Sequence, residues 1–216
     1  GSNPVFLYLR RIKVFTGIVQ KLAQIKELER DENLVRLSIA LDQLSAGLEL
    51  GASVAINGVC LTVSEVKDGV SHFDVIPETL ATTNLDLLSS TSFVNVERSY
   101  KVGDEIGGHL VSGHVGSTAV LKSVHHEKHD RVLTFQIDEP WMKFIFHKGF
   151  VALDGASLTI SSVNRAENCF SVSLIPETLA RTTLGLLEAG DLVNVEVEAQ
   201  TVSIVETVER VMAERE

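Results

Sequence analysis

The segment Ile76-Pro77-Glu78-Thr79-Leu80-Ala81-Thr82-Thr83-Asn84-Leu85 returns as Ile175-Pro176-Glu177-Thr178-Leu179-Ala180-Arg181-Thr182-Thr183-Leu184, with eight of ten positions identical. Self-similarity at a separation near half of a 216-residue chain is the signature of a duplicated structural unit. Whatever one half folds into, the other must fold into as well. Each half is long enough to enclose its own core, although a small all-β unit gains from association.

Alternating apolar and polar residues rich in β-branched types predict strands. Phe15–Val19 opens the first half, Leu34–Ala40 follows, and a turn or helical loop covers 42–48. Ser53–Ile56 leads through Asn57-Gly58 into Val59–Val63, and Asn-Gly between apolar runs is a strong hairpin signal. Asp68-Gly69 turns the chain into Val70–Val75, and Phe93–Glu97 closes the half. The second half repeats the order. Ser112–Val115 answers Thr16–Val19, Val151–Ile160 matches Val54–Val63 at five of ten positions, and Val193–Glu196 answers Val94–Glu97. Six short antiparallel strands per half, with hardly any helix, predict an all-β fold of two tandem barrels, because closure removes exposed sheet edges. From Thr201 the period changes: Ile204, Val205, Val208, Val211 and Met212 recur at three and four residues, which predicts an amphipathic C-terminal helix. Its apolar stripe packs either on its own barrel or on copies of itself in an oligomer. The expected divisions are an extension outside the fold at 1–13, barrels at 14–110 and 111–200, and an oligomerisation helix at 201–216.

The formal charge of −10 disfavours nucleic acid and anionic membrane surfaces, both of which attract a basic face. No apolar run approaches the roughly 18 residues of a spanning helix. The two cysteines, Cys60 and Cys169, occupy non-equivalent places in the repeats, so no framework disulfide is expected and a reducing, cytoplasmic setting fits. Gly1-Ser2 resembles a cloning scar, and within 4–13 the basic residues follow the apolar run, the reverse of a secretory signal.

Histidine is the side chain most readily used near neutral pH, and His109 and His114 sit among the glycines of Gly107–Val115. Each could serve structure or chemistry. His125, His126 and His129 have tempting spacing but lie in a polar run where a hairpin loop is expected, so no metal site is expected. Cys60 and Ser157 are equivalent in the two repeats, as are Thr62 and Thr159. They could handle a ligand, or pack and satisfy neighbouring carbonyls. Cys169 answers Val70 and reads as apolar; Lys148 and Glu198 read as solvated or functional. A duplicated barrel offers two equivalent pockets for two similar molecules. Holding such molecules in contact is worth up to roughly 7–11 kcal/mol of barrier. No nucleotide fingerprint or P-loop is present, so chemistry without a cofactor fits.

Phe15–Gln20, Asn57–Val63, Glu105–His114, Asp154–Thr159 and the two Ile-Pro-Glu-Thr-Leu segments resemble the riboflavin synthases of alpha-chain type. The resemblance runs from Val14 to the C-terminus. Family members begin Met-Phe-Thr-Gly, so Val14 falls where an initiator would, and translation from a GTG codon there is expected, with 3–13 an overrun. The resemblance implies two six-stranded Greek-key barrels and a C-terminal helix that assembles a homotrimer. Association with a lumazine synthase shell is left open. It also implies a transferase that needs no cofactor: two molecules of 6,7-dimethyl-8-ribityllumazine dismutate to riboflavin and 5-amino-6-ribitylamino-uracil. The site is implied to lie between the first barrel of one subunit and the second barrel of its neighbour.

By that similarity Gly17, Ile18, Val19, Cys60, Leu61, Thr62, Asp74, Val75, Ile76, Pro77, Glu78 and Thr79 line the first pocket. Gly113, His114, Val115, Lys148, Ser157, Leu158, Thr159, Ser173, Leu174, Ile175, Pro176, Glu177 and Thr178 line the second. The reaction needs a base for the acidic C7 methyl proton and a nucleophile or hydroxyl at C7. The expected roles are proton transfer for His114, polar contact at the reacting carbon for Ser157 and Cys60, and ring positioning for Thr159. Ser53 and His109 fall at family positions of importance, with support of the seam the alternative role for His109. Glu198 stands where the family usually has aspartate, one methylene shorter. The rivals are a non-catalytic antenna protein of the same fold that binds lumazine or flavin, and a plain interaction module.

Overall fold

The computed structural model describes residues 14–32, 34–126 and 130–215. The extension at 1–13 and His129 lie outside the described residues. Strands β1 (Lys21–Asp31), β2 (Leu34–Ala40), β3 (Ser53–Ile56), β4 (Val59–Lys67), β5 (Val70–Val75) and β6 (Phe93–Arg98) close a barrel in the order β1-β2-β5-β4-β3-β6. Strands β7 (Ser117–His126), β8 (Arg131–Ile137), β9 (Phe150–Leu153), β10 (Ala156–Asn164), β11 (Cys169–Leu174) and β12 (Leu192–Val197) close a second in the equivalent order. Inward positions alternate along each strand, as in Val35, Leu37 and Ile39 of β2 and Leu133, Phe135 and Ile137 of β8. The hairpins at Asn57-Gly58 and Asp154-Gly155 have positive φ at both residues, the mirror-image turn whose twist matches a hairpin.

The expected strand at Phe15–Val19 is not one. Phe15 makes a single antiparallel bridge to Val111, and the first barrel strand begins at Lys21. Phe15 is apolar because it is buried between the barrels with Ala55, Val111 and Ala152. The repeated decapeptide supplies the short helices α1 (Pro77–Thr82) and α2 (Pro176–Arg181). Each starts with proline, whose fixed φ suits the first helical position, and each is followed by a fully buried leucine, Leu85 or Leu184.

The barrels meet back to back. Gly58 and Gly155 touch so closely that a Cβ on Gly58 would lie 2.6 Å from the Gly155 nitrogen. Around them runs a buried polar network. Asp154 accepts bonds from Asn84 Nδ2 (2.9 Å), the Asn194 amide (2.8 Å) and Thr183 Oγ1 (3.2 Å). Asn194 Nδ2 donates to the Asn57 carbonyl (2.8 Å), and Asn95 Nδ2 donates to the Asp154 carbonyl (2.9 Å).

The C-terminal helix α3 (Ala199–Ala213) divides its apolar stripe. Val202 and Val205 pack on the second barrel, and Lys143 pairs with Glu209 at 2.6 Å. Ile204, Val208, Val211 and Met212 remain exposed.

Asp154 is a fully buried carboxyl with a strongly raised pKa, pushed up by burial from 3.8 to about 7 against its hydrogen bonds. The proton falls to Oδ2, whose bond from Thr183 Oγ1 is the longest of the three at 3.2 Å. Because the folded chain binds that proton more tightly than the unfolded one, this contribution is complete below about pH 4 and is lost as pH rises through about 7. Asn57 shows that an amide fits the equivalent turn, so Asp154→Asn removes this dependence. Denaturant unfolding at pH 5 and pH 7.5 is expected to show wild type losing up to about 2.5 kcal/mol more than the variant across that interval.

Candidate functional site

Each barrel wall has an opening set by strand register. β4 pairs with β3 from Val59 to Thr62, which faces Ser53, but reaches β5 only from Val63 onward, where the register shifts. Asp74 and Val75 pair instead with Arg36 and Val35. The wall therefore parts between Cys60–Thr62 and Asp74–Ile76. β10 does the same, pairing with β9 through Ala156–Thr159 and with β11 from Ile160, so Ser157–Thr159 part from Ser173–Ile175. A register shift of this kind re-aims side chains and ends pairing, and it leaves backbone edges for a ligand.

The leading segment of each half crosses to the other barrel. The Gly17 carbonyl accepts from the Ser157 amide (2.8 Å), and Val19 packs on the second core. The Gly113 carbonyl accepts from the Cys60 amide (2.9 Å), and Val115 packs on the first core. This reverses the expected grouping. Gly17, Ile18 and Val19 stand beside Ser157 in the second barrel, and Gly113, His114 and Val115 stand beside Cys60 in the first. The physical reason is the Phe15–Val111 bridge, whose two backbone bonds (2.8 and 3.0 Å) send the segments past each other.

Two glutamates fix the crossings. Glu97 accepts from the Thr16 amide (2.7 Å), Thr16 Oγ1 (2.8 Å) and the Gly17 amide (3.0 Å). Glu196 accepts from the Ser112 amide (2.7 Å), Ser112 Oγ (2.7 Å) and the Gly113 amide (3.0 Å). Burial raises both carboxyl pKa values, and these donors pull them back down. Gly17 and Gly113 have φ of 72° and 78°, and a Cβ on either would lie 2.5 Å from the Cβ of Ser157 or Cys60. Only glycine lets the segment lie this close.

At the second opening His109 Nδ1 lies 2.6 Å from Ser157 Oγ, and its ring stacks on Phe150 with centroids 5.2 Å apart. Burial lowers the histidine pKa from its ordinary value, and the Glu198 carboxylate opposes this. Glu198 precedes α3 and accepts from Thr201 Oγ1. His114 is exposed, its amide bonded to Ser112 Oγ at 3.2 Å. Lys148 is exposed in a left-handed conformation, its amide held by the Ile160 carbonyl at 2.9 Å. Thr62 and Thr159 face outward on their walls, and Ser53 is buried opposite Thr62. Leu61 is buried and Leu158 half-buried.

At the openings' far sides, Ile76 and Ile175 are exposed over half their surface, while Thr79 and Thr178 are half-buried. Pro77, Glu78, Pro176, Glu177 and Ser173 are exposed; Val75 and Leu174 are core. Glu177 pairs with Arg181. Asp74 is taken by Arg36 (2.8 Å), which holds its carboxyl below the usual range. The sequence reading missed Glu97, Glu196 and Phe150. The two glutamates carried a signal, the Asn-Val-Glu triplet ending both halves. Among the described residues no group of three or more His, Cys, Asp or Glu could hold a metal ion.

Residues 16–99 and 112–198 both match the lumazine binding domain, so each barrel with the crossing segment of its own half is one such domain. Over 205 residues the chain is 46% identical to the riboflavin synthase of Escherichia coli (strain K12), covering 94% of this chain and 95% of that one. It is 42% identical over 201 residues to the riboflavin synthase of Chlamydia pneumoniae, covering 93% and 98%. The crystal structure of LumP complexed with riboflavin shares the fold, with a TM-score of 0.78 and 25% identity over 85% of this chain and 99% of that one. The chain belongs to the riboflavin synthase family.

Replacing Glu196 by alanine strands two backbone amides and a hydroxyl. Unfolding free energy is expected to fall by roughly 2–4 kcal/mol, with faster amide hydrogen exchange confined at first to 112–115. Glu97→Ala is expected to do the same at 16–19, read by exchange mass spectrometry.

Proposed function

We propose that the protein is a riboflavin synthase, a transferase that dismutates two molecules of 6,7-dimethyl-8-ribityllumazine into riboflavin and 5-amino-6-ribitylamino-uracil. The observation that carries this is similarity to riboflavin synthases along nearly the whole chain, through both repeats at once. One lumazine gives a four-carbon unit to the other, so electrons and atoms balance between the two substrates without a cofactor. The twin openings supply two equivalent seats. Effective concentration of paired reactants then does most of the catalytic work.

The polar groups at the two openings differ, which suits one donor and one acceptor. Ser157 and Cys60 stand at the reacting carbons. His114, carried beside Cys60 by its crossing segment, moves the proton of the C7 methyl. Glu198 and Thr159 complete the second seat, and Lys148 stands at its edge. The exposed half of the α3 stripe, Ile204, Val208, Val211 and Met212, is suited to helix contacts in a homotrimer. In that trimer the first barrel of one subunit faces the second barrel of the next. None of the described helices is long and apolar enough to cross a membrane.

The second reading, an antenna that binds lumazine or flavin without turnover, rests on the likeness to LumP. The nearly twofold higher identity to the synthases favours the enzyme. Incubation with the lumazine, followed at the riboflavin absorbance, decides between them: product is expected, and binding without product would establish the antenna. Ser157→Ala and His114→Ala are each expected to lower turnover roughly 100-fold or more while assembly is unchanged by light scattering. Wild-type turnover in either variant would remove that residue from the mechanism.

A further inference from the structure

His109 lies in the linker between the barrels, yet its ring is locked into the second opening. It is 9% exposed, stacked on Phe150 of β9 and bonded through Nδ1 to Ser157 Oγ of β10. The backbone around it is equally tight. A Cβ on the neighbouring Gly108 would lie 2.9 Å from Ser157 Oγ and 2.2 Å from the Thr16 carbonyl oxygen. The Ser157 amide is held by Gly17. Two pieces of chain, the first crossing segment and the linker, therefore converge on this one serine of β10.

A serine hydroxyl has one proton and two lone pairs, and what it offers a ligand depends on where the proton points. The charged group that bears on His109 is Glu198, from the start of α3; Phe150, Ser157 and Thr16 bring no charge. With Nδ1 as the acceptor of the 2.6 Å contact, the ring N–H falls on Nε2, the nitrogen that Ser157 does not use. We propose that His109 is the positioning residue of the reaction: it takes the Ser157 hydroxyl proton in a hydrogen bond at Nδ1, so that the oxygen lone pairs face the substrate's reacting carbon. The expected helper from the sequence, His114, sits at the other opening, and the first barrel has a serine, Ser53, where the second has Phe150 to hold such a ring. The two seats are thereby chemically unequal.

This rests on the synthase reading, and its test separates the two. In the full-length protein, His109→Phe keeps the stacking and loses the hydrogen bond. It is expected to lower kcat roughly 10- to 100-fold with KM for the lumazine changed less than about threefold. His109→Asn, whose amide can occupy the place of Nδ1, is expected to recover most of kcat. In a Ser157→Ala background His109→Phe is expected to have no further effect. Wild-type kcat in His109→Phe, failure of His109→Asn to exceed it, or an undiminished effect without Ser157 would overturn the proposal. Absence of riboflavin from wild type would overturn the synthase reading instead. The hydrogen bond is then read by ¹⁵N NMR of labelled histidine, which also serves if circular dichroism shows His109→Phe unfolded. His109 is expected to hold the Nε2–H tautomer in wild type and lose it in Ser157→Ala; an unchanged spectrum would overturn the proposal.

Discussion

Two buried carboxylates hold this molecule in its shape. Glu97 and Glu196 each stand one residue before the end of the last strand of a barrel, and each gathers three donors from the chain that leads into that barrel. A carboxylate this deep is costly unless its oxygens are filled. The leading segments satisfy that demand, and in doing so they are drawn into a tight bend that only glycine adopts. The bend in turn sets Gly17 against Ser157 and Gly113 against Cys60. The second wall of each opening thus follows from a charge buried on the opposite side of the same segment.

The halves agree in shape and differ in polar detail. Asn57 faces Asp154 across the seam, Cys60 answers Ser157, Ile18 answers His114, and Ser53 answers Phe150. Shared shape is what recognition of two like molecules requires. The side chains around the two equivalent openings differ all the same.

Much of the fold was legible. The duplicated decapeptide announced two like domains, and the Asn-Gly and Asp-Gly turns placed the hairpins correctly. The segment Phe15–Val19 misled because an apolar residue buried between domains and one buried inside a barrel produce the same alternation. Which barrel each leading segment serves was hidden by the duplication itself, since two nearly equal partners leave no local signal of choice. His109 was visible as a residue but not as a contact. Its partner lies 48 positions away and is reached only after both barrels close. Glu97 and Glu196 stood out only as the ends of expected strands, because spacing alone does not report burial.

The crossing of the leading segments bears on how such a chain arose. A solitary barrel with the same leader would have sent that leader outward, with no second domain to receive it and its own cleft missing a side. Two solitary barrels exchanging leaders would have met the need by pairing. Joining two such barrels in one chain makes a permanent partnership of what would otherwise be a reversible one, and lets each member differ from its twin.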